Sequence, residues 1–206
     1  MPLESIRLPD LPPPPAPPVR DFILNAESRI QAFLQQRSAN PIRHFIPSHY
    51  PTVHAALHHL VTAVPLTGNN FCEWGSGFGV VAGLAAIEGL HATGFEIEPD
   101  LVHASRQLLA DHHLHATIIE GNYLPPGYGL YYDAVGDTRQ LLHDHSANPA
   151  YHTLGLEPSD FDLIFVYPWP GEAQMVEDLF EATAAHGATL LLYQGPHDIS
   201  AYRCLA

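Results

Sequence analysis

The chain has 206 residues, 46% hydrophobic and 15% charged, a composition typical of one globular domain. It has 8 basic residues, all of them arginine, and 22 acidic residues, which give a formal net charge of −14. The lack of lysine excludes a P-loop lysine and a lysine Schiff base, and the acidity argues against nucleic-acid binding. Two cysteines form no disulfide framework. Without a long apolar stretch or an apolar signal core, we expect a cytoplasmic protein with no membrane partner.

Residues 1–20 predict a proline-rich arm, because seven of the ten residues from Pro9 to Pro18 are proline. Such a run favours extended polyproline II structure, either as a stiff tail or as a ligand for an aromatic groove of a partner. Residues 21–50 predict a helix over 21–36 and an irregular segment that covers a substrate or cofactor. A second helix is predicted over residues 51–64, with Pro51 in its first turn.

Residues 51–206 predict one α/β domain. Strands are expected at residues 70–74, 92–96, 116–120, 161–167 and 188–193, and helices at 78–89, 100–113 and 172–186. Repeated strand–helix units indicate a Rossmann-like, doubly wound parallel sheet, with these strands in the order 3-2-1-4-5. Residues 123–160 predict an inserted lid-like segment, because a loop of this length is usually functional or disordered.

A glycine-rich turn, Glu73-Trp74-Gly75-Ser76-Gly77-Phe78-Gly79, follows the first of these strands. Such a turn lets a ligand approach the backbone and exposes the N–H groups of the next helix. Glu96 ends the second strand, where a carboxylate can accept both hydroxyls of a ribose. Asn122, after the third strand, would place a polar side chain near a base.

The fourth strand ends in Tyr167-Pro168-Trp169-Pro170-Gly171-Glu172. In the predicted order this segment and the glycine-rich turn flank the switch point of the sheet, where open α/β sheets bind ligands. Trp169, between two prolines, is either a rigid aromatic wall of that crevice or a core residue.

Together these residues resemble the class I S-adenosylmethionine (SAM)-dependent methyltransferases over about residues 51–195. The first motif of that family, acid-x-Gly-x-Gly-x-Gly, is matched by Glu73, Gly75, Gly77 and Gly79. The resemblance implies that Glu73 lies near the methionine end of SAM and that residues 75–79, including Ser76, line the cofactor. It also implies that Glu96 binds the ribose, that Ile97 lies beside the adenine, and that Asn122 replaces the family's frequent aspartate near the adenine amine.

The family's fourth strand ends near the transferable methyl group, so the resemblance implies a transferase acting by in-line displacement. Tyr167 and Glu172 are then the candidate catalytic residues, Pro168 and Trp169 are candidate substrate contacts, and His44, His49 and Asp133 are further candidate bases. Amino-group methyltransferases carry Asn or Asp where Tyr167 stands, which argues against methylation of an amide or base nitrogen by the route of those enzymes. Residues 45–48, Phe-Ile-Pro-Ser, resemble a segment of bacterial and mitochondrial protein-lysine methyltransferases. The acceptor stays open between a small molecule and a protein side chain.

The family fold adds antiparallel sixth and seventh strands, for which little chain remains after residue 195. We therefore expect the full hairpin to be missing, with one short strand at residues 201–205. A bare edge on the fifth strand would invite pairing with another chain, which leads to the hypothesis of a homodimer.

Two other functions fit parts of the pattern. Gly77-x-Gly79-x-x-Ala82 also satisfies the dinucleotide fingerprint, which would indicate an NAD-dependent oxidoreductase, although the leading Glu73 and the shortness of the chain disfavour it. A non-catalytic nucleotide-binding scaffold with a proline-rich arm is the third possibility.

Clustered histidines raise the question of a metal site. The clusters are His112-His113-His115 and His143-Asp144-His145, and His54 and His58 share a helix face without a neighbouring carboxylate in sequence. Because histidines are spread over the whole chain, we expect them to be surface composition and predict no metal.

Overall fold

The computed structural model describes residues 3–9, 14–38, 42, 45–125, 128 and 150–205. Within these residues, seven strands form one sheet with helices on both faces. The strands are β1 (Leu3–Ile6), β2 (Asn70–Trp74), β3 (His91–Glu96), β4 (Ala116–Glu120), β5 (Leu163–Val166), β6 (Thr189–Gly195) and β7 (Asp198–Cys204). The α-helices are α1 (Pro17–Gln36), α2 (Tyr50–Ala63), α3 (Val80–Ile87), α4 (Pro99–Asp111), α5 (Ala150–Leu154) and α6 (Ala173–Thr183), and Pro158–Asp160 forms a 3₁₀ turn.

The sheet order is β1-β7-β6-β5-β2-β3-β4. The five strands from β2 to β6 are parallel, and their arrangement confirms the predicted 3-2-1-4-5 order. The chain leaves β2 toward β3 and β4 on one side and returns to β5 and β6 on the other. The carboxyl ends of β2 and β5 therefore flank the switch point of the sheet.

One strand, β7, follows β6, so the full hairpin that was expected to be missing is absent from the described residues, although β7 begins earlier than the strand predicted at residues 201–205. After β6 the chain reverses at residues 196–197, with Gly195 opposite Asp198, and β7 pairs antiparallel with β6. On its other side β7 pairs antiparallel with β1, with Leu3 opposite Cys204. These two outer strands are stable because each is paired and because β7 buries Ala201 and Cys204. The edge of β6 is thus covered, which removes the argument that led to the homodimer hypothesis.

Residues 10–13 of the predicted proline-rich arm lie outside the described residues, and parts of the arm on either side of them have regular structure. Its described residues include Leu3–Ile6, which form the edge strand β1, and residues 17–20, which form the first turn of α1. Proline is well suited to that turn, because the first N–H groups of a helix have no intrahelical partner.

Two apolar layers cover the sheet. Helices α1 to α4 pack on one face around residues such as Phe71, Leu163 and Leu191, whereas α5 and α6 pack on the other around Trp74, Ile164 and Leu192. Cys72 is buried as expected, and burial, followed by the charge of Glu73, raises the pKa of its thiol. None of the described helices combines the length and apolarity needed to cross a membrane.

Only parts of the predicted lid-like segment are described. Residues 121–125 lead from β4 to helix α5, whose Ala150 N–H donates to the Asn122 carbonyl at 2.9 Å. The candidate bases His44 and Asp133 and the cluster of His143, Asp144 and His145 lie outside the described residues.

Candidate active site

The glycine-rich turn joins β2 to α3 in a left-handed backbone conformation. Gly75, Gly77 and Gly79 have φ angles of 73°, 52° and 69°. A Cβ on Gly77 would stand 2.6 Å from Cε2 of Phe45, and one on Gly79 would stand 2.8 Å from Cβ of Ser105 on α4. Gly77 thus lets residues 45–48 lie over the turn, and Gly79 lets α4 pack beneath it.

Glu73 points from β2 into the start of α3. Its Oε2 accepts a hydrogen bond from the Ala82 N–H at 2.8 Å, one of the helix donors without an intrahelical partner. The side chain is buried. Burial raises the pKa of Glu73 well above its usual range; the Ala82 N–H opposes this rise, and the nearby charge of Glu96 adds to it.

Glu96 ends β3 with both carboxylate oxygens engaged. Oε2 accepts from the Gly77 N–H at 2.6 Å, and Oε1 accepts from the N–H groups of Ile97 and Glu98 at 2.8 and 2.9 Å. Burial raises the pKa of Glu96, and these three N–H donors act in the opposite direction. Because a carboxylate offers about four acceptor sites, one remains on Oε2 for a ligand hydroxyl.

A cavity of about 370 Å³ opens at the switch point, a volume within the range of small-molecule sites. We call it the switch-point cavity. Eleven of the predicted site residues line it: Glu73, Gly75, Ser76, Gly77, Glu96, Ile97, Asn122, Tyr167, Pro168, Trp169 and Glu172. Gly79 and the candidate base His49 are described but do not line it.

One buried hydroxyl in this lining has no partner. Ser76 is buried, and its Oγ makes no hydrogen bond with any described residue. Buried polar atoms are normally paired, so an orphaned hydroxyl in a cavity wall marks a place where a ligand or a water can bind. Asn122, also buried, uses Oδ1 to accept from the Leu124 N–H at 2.9 Å.

The opposite wall of the switch-point cavity is formed by the residues that follow β5. Glu172 Oε2 accepts from the Trp169 N–H at 3.4 Å, and burial raises the pKa of Glu172 against the effect of that donor. The ring of Tyr167 meets the ring of Tyr193 edge-on, with centroids 4.8 Å apart. Since the Tyr193 hydroxyl accepts from the His49 N–H at 2.9 Å, this wall also holds the segment that leads into α2.

Several lining residues were not singled out as site residues from the sequence. Residues 45–48 and Tyr50 form the side above the glycine-rich turn, as expected of a covering segment. Tyr123 stacks on Trp74 at 5.3 Å, and the Trp74 Nε1–H donates to the Tyr151 hydroxyl at 2.8 Å. Tyr123 directly follows Asn122 at a strand end, which is the signal that could have identified it. The further lining residues are Val80, Phe95, Glu98, Gly121, Phe165, Val166, Pro170, Gln194 and Asp198.

Comparison with known proteins agrees on the fold. The chain is similar to a methyltransferase from Geobacter sulfurreducens, at 15% identity and a TM-score of 0.55, covering 94% of this chain and 93% of that one. It is also similar to an O-methyltransferase from Bacillus cereus solved with SAH, at 14% identity and a TM-score of 0.51, covering 89% and 74% of the two chains. No protein-family model and no curated protein matches the sequence. The chain thus has the Rossmann-like fold of these methyltransferases.

Proposed function

We propose that this protein is a SAM-dependent methyltransferase. The observation that carries the proposal is the convergence of three sequence features on one cavity. The acidic, glycine-rich turn after β2, the carboxylate at the end of β3 and the aromatic segment after β5 all line the switch-point cavity. Both structures compared above are methyltransferases, and the one from Bacillus cereus was solved with SAH.

The residues present fit this cofactor. Glu96 keeps an acceptor site for a ribose hydroxyl, and the Ser76 hydroxyl has no partner among the described residues. A Cβ added to Gly75 would meet no atom within 4 Å, so the cavity is open at this point of the turn. In this assignment Glu73 faces the methionine end, Ile97 and Asn122 border the adenine, and Gly79 acts indirectly by permitting the close packing of α4.

Glu73 also discriminates between SAM and NAD. A dinucleotide places its pyrophosphate on the free N–H groups at the helix start after the glycine-rich turn. Here the Glu73 side chain accepts from one of those groups, the Ala82 N–H, and when ionised it would repel a phosphate. The positive sulfonium of SAM would instead be attracted to a carboxylate in this position.

SAM supplies a methyl group that is already activated by its sulfonium. The protein then has to align the acceptor for in-line displacement and exclude water. Tyr167 and Glu172 are the candidates for holding or removing the acceptor proton, and Pro168 and Trp169 would border the acceptor. Glu172 suits a base, since burial raises the pKa of its carboxyl above its usual value and so makes the carboxylate a stronger proton acceptor.

The charge of the lining bears on the acceptor. The described lining residues include Glu98, Glu172 and Asp198 but no arginine or histidine. An anionic acceptor would find no ion-pair partner among them. We therefore propose a neutral or cationic acceptor, either a small molecule or a protein side chain.

Calorimetric titration with S-adenosylhomocysteine, with NADH in parallel, tests the cofactor. We expect micromolar binding of S-adenosylhomocysteine alone, and binding at least about tenfold weaker in Glu96→Gln, which loses a charge-assisted acceptor. Glu120→Gln is the matched control, because Glu120 ends the neighbouring strand β4 but is exposed and does not line the cavity. Binding of NADH alone would overturn the proposal, and equal affinity of wild type and Glu96→Gln would overturn the ribose assignment. Cofactor binding without turnover on any neutral or amine acceptor would favour the scaffold function.

A further inference from the structure

Two histidines and a glutamate meet on the side of the sheet covered by α1 to α4. His54 Nε2 lies 2.8 Å from Glu88 Oε1, and His58 Nδ1 lies 2.9 Å from Glu88 Oε2. The two imidazoles are one helical turn apart on α2, with ring centroids 5.9 Å apart. Glu88 follows the last residue of α3, so sequence spacing alone does not show that it joins them.

The three groups are partly buried, and they lie outside the switch-point cavity. The side chains of His54 and Glu88 are 9% and 12% exposed, whereas that of His58 is 50% exposed. None of the three lines the cavity. One ligand atom from each residue lies within 4.8 Å of the others. The carboxylate is therefore held inside, and the cluster opens to solvent through His58.

We propose that His54, His58 and Glu88 bind a divalent transition-metal ion of the Zn²⁺ type. Two imidazole nitrogens and a carboxylate oxygen are a donor set that such ions prefer, and the opening beside His58 leaves a fourth position for water. Tetrahedral ligands at bond lengths of about 2.0–2.1 Å lie roughly 3.3 Å apart. The two nitrogen–oxygen separations of 2.8 and 2.9 Å would have to widen by a few tenths of an ångström, and the three ligand atoms, now within 4.8 Å of one another, would have to close around one ion. The half-exposed His58 can provide this movement.

This site would have a structural role that does not depend on methyl transfer. Helix α2 begins with Tyr50 and α3 follows the glycine-rich turn, so both helices start at the switch-point cavity. A metal ion bound by both helices would fix their spacing. Because such an ion binds the folded state and not the dispersed ligands of the unfolded chain, it would raise the melting temperature.

The test uses full-length protein without a histidine tag, freed of metal with a chelator and then titrated with Zn²⁺ by calorimetry. We expect a single equivalent to bind wild type, and affinity to fall by about tenfold or more in both His58→Gln and Glu88→Gln, since each loses a ligand. His103→Gln is the matched control, because His103 is an exposed histidine on α4 outside the cluster. Circular dichroism checks that each variant is folded.

Co²⁺ gives a second readout that needs no variant. Bound in place of Zn²⁺, it should give the intense visible absorption of a tetrahedral site with nitrogen and oxygen ligands. Absence of stoichiometric Zn²⁺ binding and of this absorption in wild type would overturn the proposal. Equal Zn²⁺ affinity in wild type, His58→Gln and Glu88→Gln would do the same and assign the binding to other histidines of the chain.

Discussion

Replacing Gly77 with alanine tests whether residues 45–48 lie on the glycine-rich turn. The added Cβ would stand 2.6 Å from the Phe45 ring, whereas ordinary contact begins near 3.4 Å. The ring would have to move by roughly 0.8 Å, an overpacking that costs about 1–3 kcal/mol. The left-handed φ of 52° adds about 1–2 kcal/mol for a residue with a Cβ. We therefore expect Gly77→Ala to lower the free energy of unfolding by about 2–5 kcal/mol.

Gly75→Ala is the matched control for this variant. Gly75 also has a left-handed φ, 73°, but its added Cβ would meet no atom within 4 Å. Only the strain of the left-handed backbone should then lower the free energy of unfolding, by about 1–2 kcal/mol. Urea unfolding followed by circular dichroism measures both variants, and the difference between them isolates the contact with Phe45.

A double variant makes the test specific. Phe45→Ala removes the obstructing ring, so adding Gly77→Ala to it should cost little more than the backbone term. Equal destabilisation by Gly75→Ala and Gly77→Ala, or full additivity of Phe45→Ala and Gly77→Ala, would refute the placement of residues 45–48 over the turn.

Two more predictions concern Glu73 and the sheet edge. Burial, reinforced by the charge of Glu96 and opposed by the Ala82 N–H, raises the folded-state pKa of Glu73 above the unfolded value of about 4.3. The contribution of Glu73 to the free energy of unfolding is therefore complete below about pH 4, where the side chain is protonated in both states, and is lost as the pH rises toward the raised pKa. Because glutamine does not titrate, Glu73→Gln should gain stability relative to wild type over that range. A pH-independent difference between the two in urea unfolding would contradict this. Deleting residues 1–7 removes β1 and bares the edge of β7, so we expect concentration-dependent association in light scattering. A deletion variant that stays in the same association state as the full-length protein at all concentrations would show that this edge is protected in another way.

The sequence allowed the centre of the fold and both walls of the cavity to be predicted. Alternating strand and helix patterns determine the order of parallel strands, and the carboxyl ends of such strands meet at one edge. The sequence alone therefore predicts Glu73, Glu96 and Tyr167 at one crevice.

The remaining features depend on contacts between distant parts of the chain. The four-residue strand β1 and the seven-residue strand β7 have no strong periodicity, and they are strands because each has a partner. Glu88 lies 34 residues from His54, so the cluster follows from the packing of α3 on α2. Phe45 lies in an irregular segment whose position depends on hydrogen bonds such as that from His49 to Tyr193. No local pattern encodes these contacts.

The pairing of β1 with β7 has a consequence for synthesis on the ribosome. About 200 residues separate Leu3 from Cys204. At a translation rate of about 5–20 residues per second, β1 is therefore synthesised roughly 10–40 s before its partner strand. The strands β2 to β5 and the helices between them can assemble during that delay. Sheet closure is then a late event, and until it occurs the nascent chain carries an unpaired strand that a chaperone could bind.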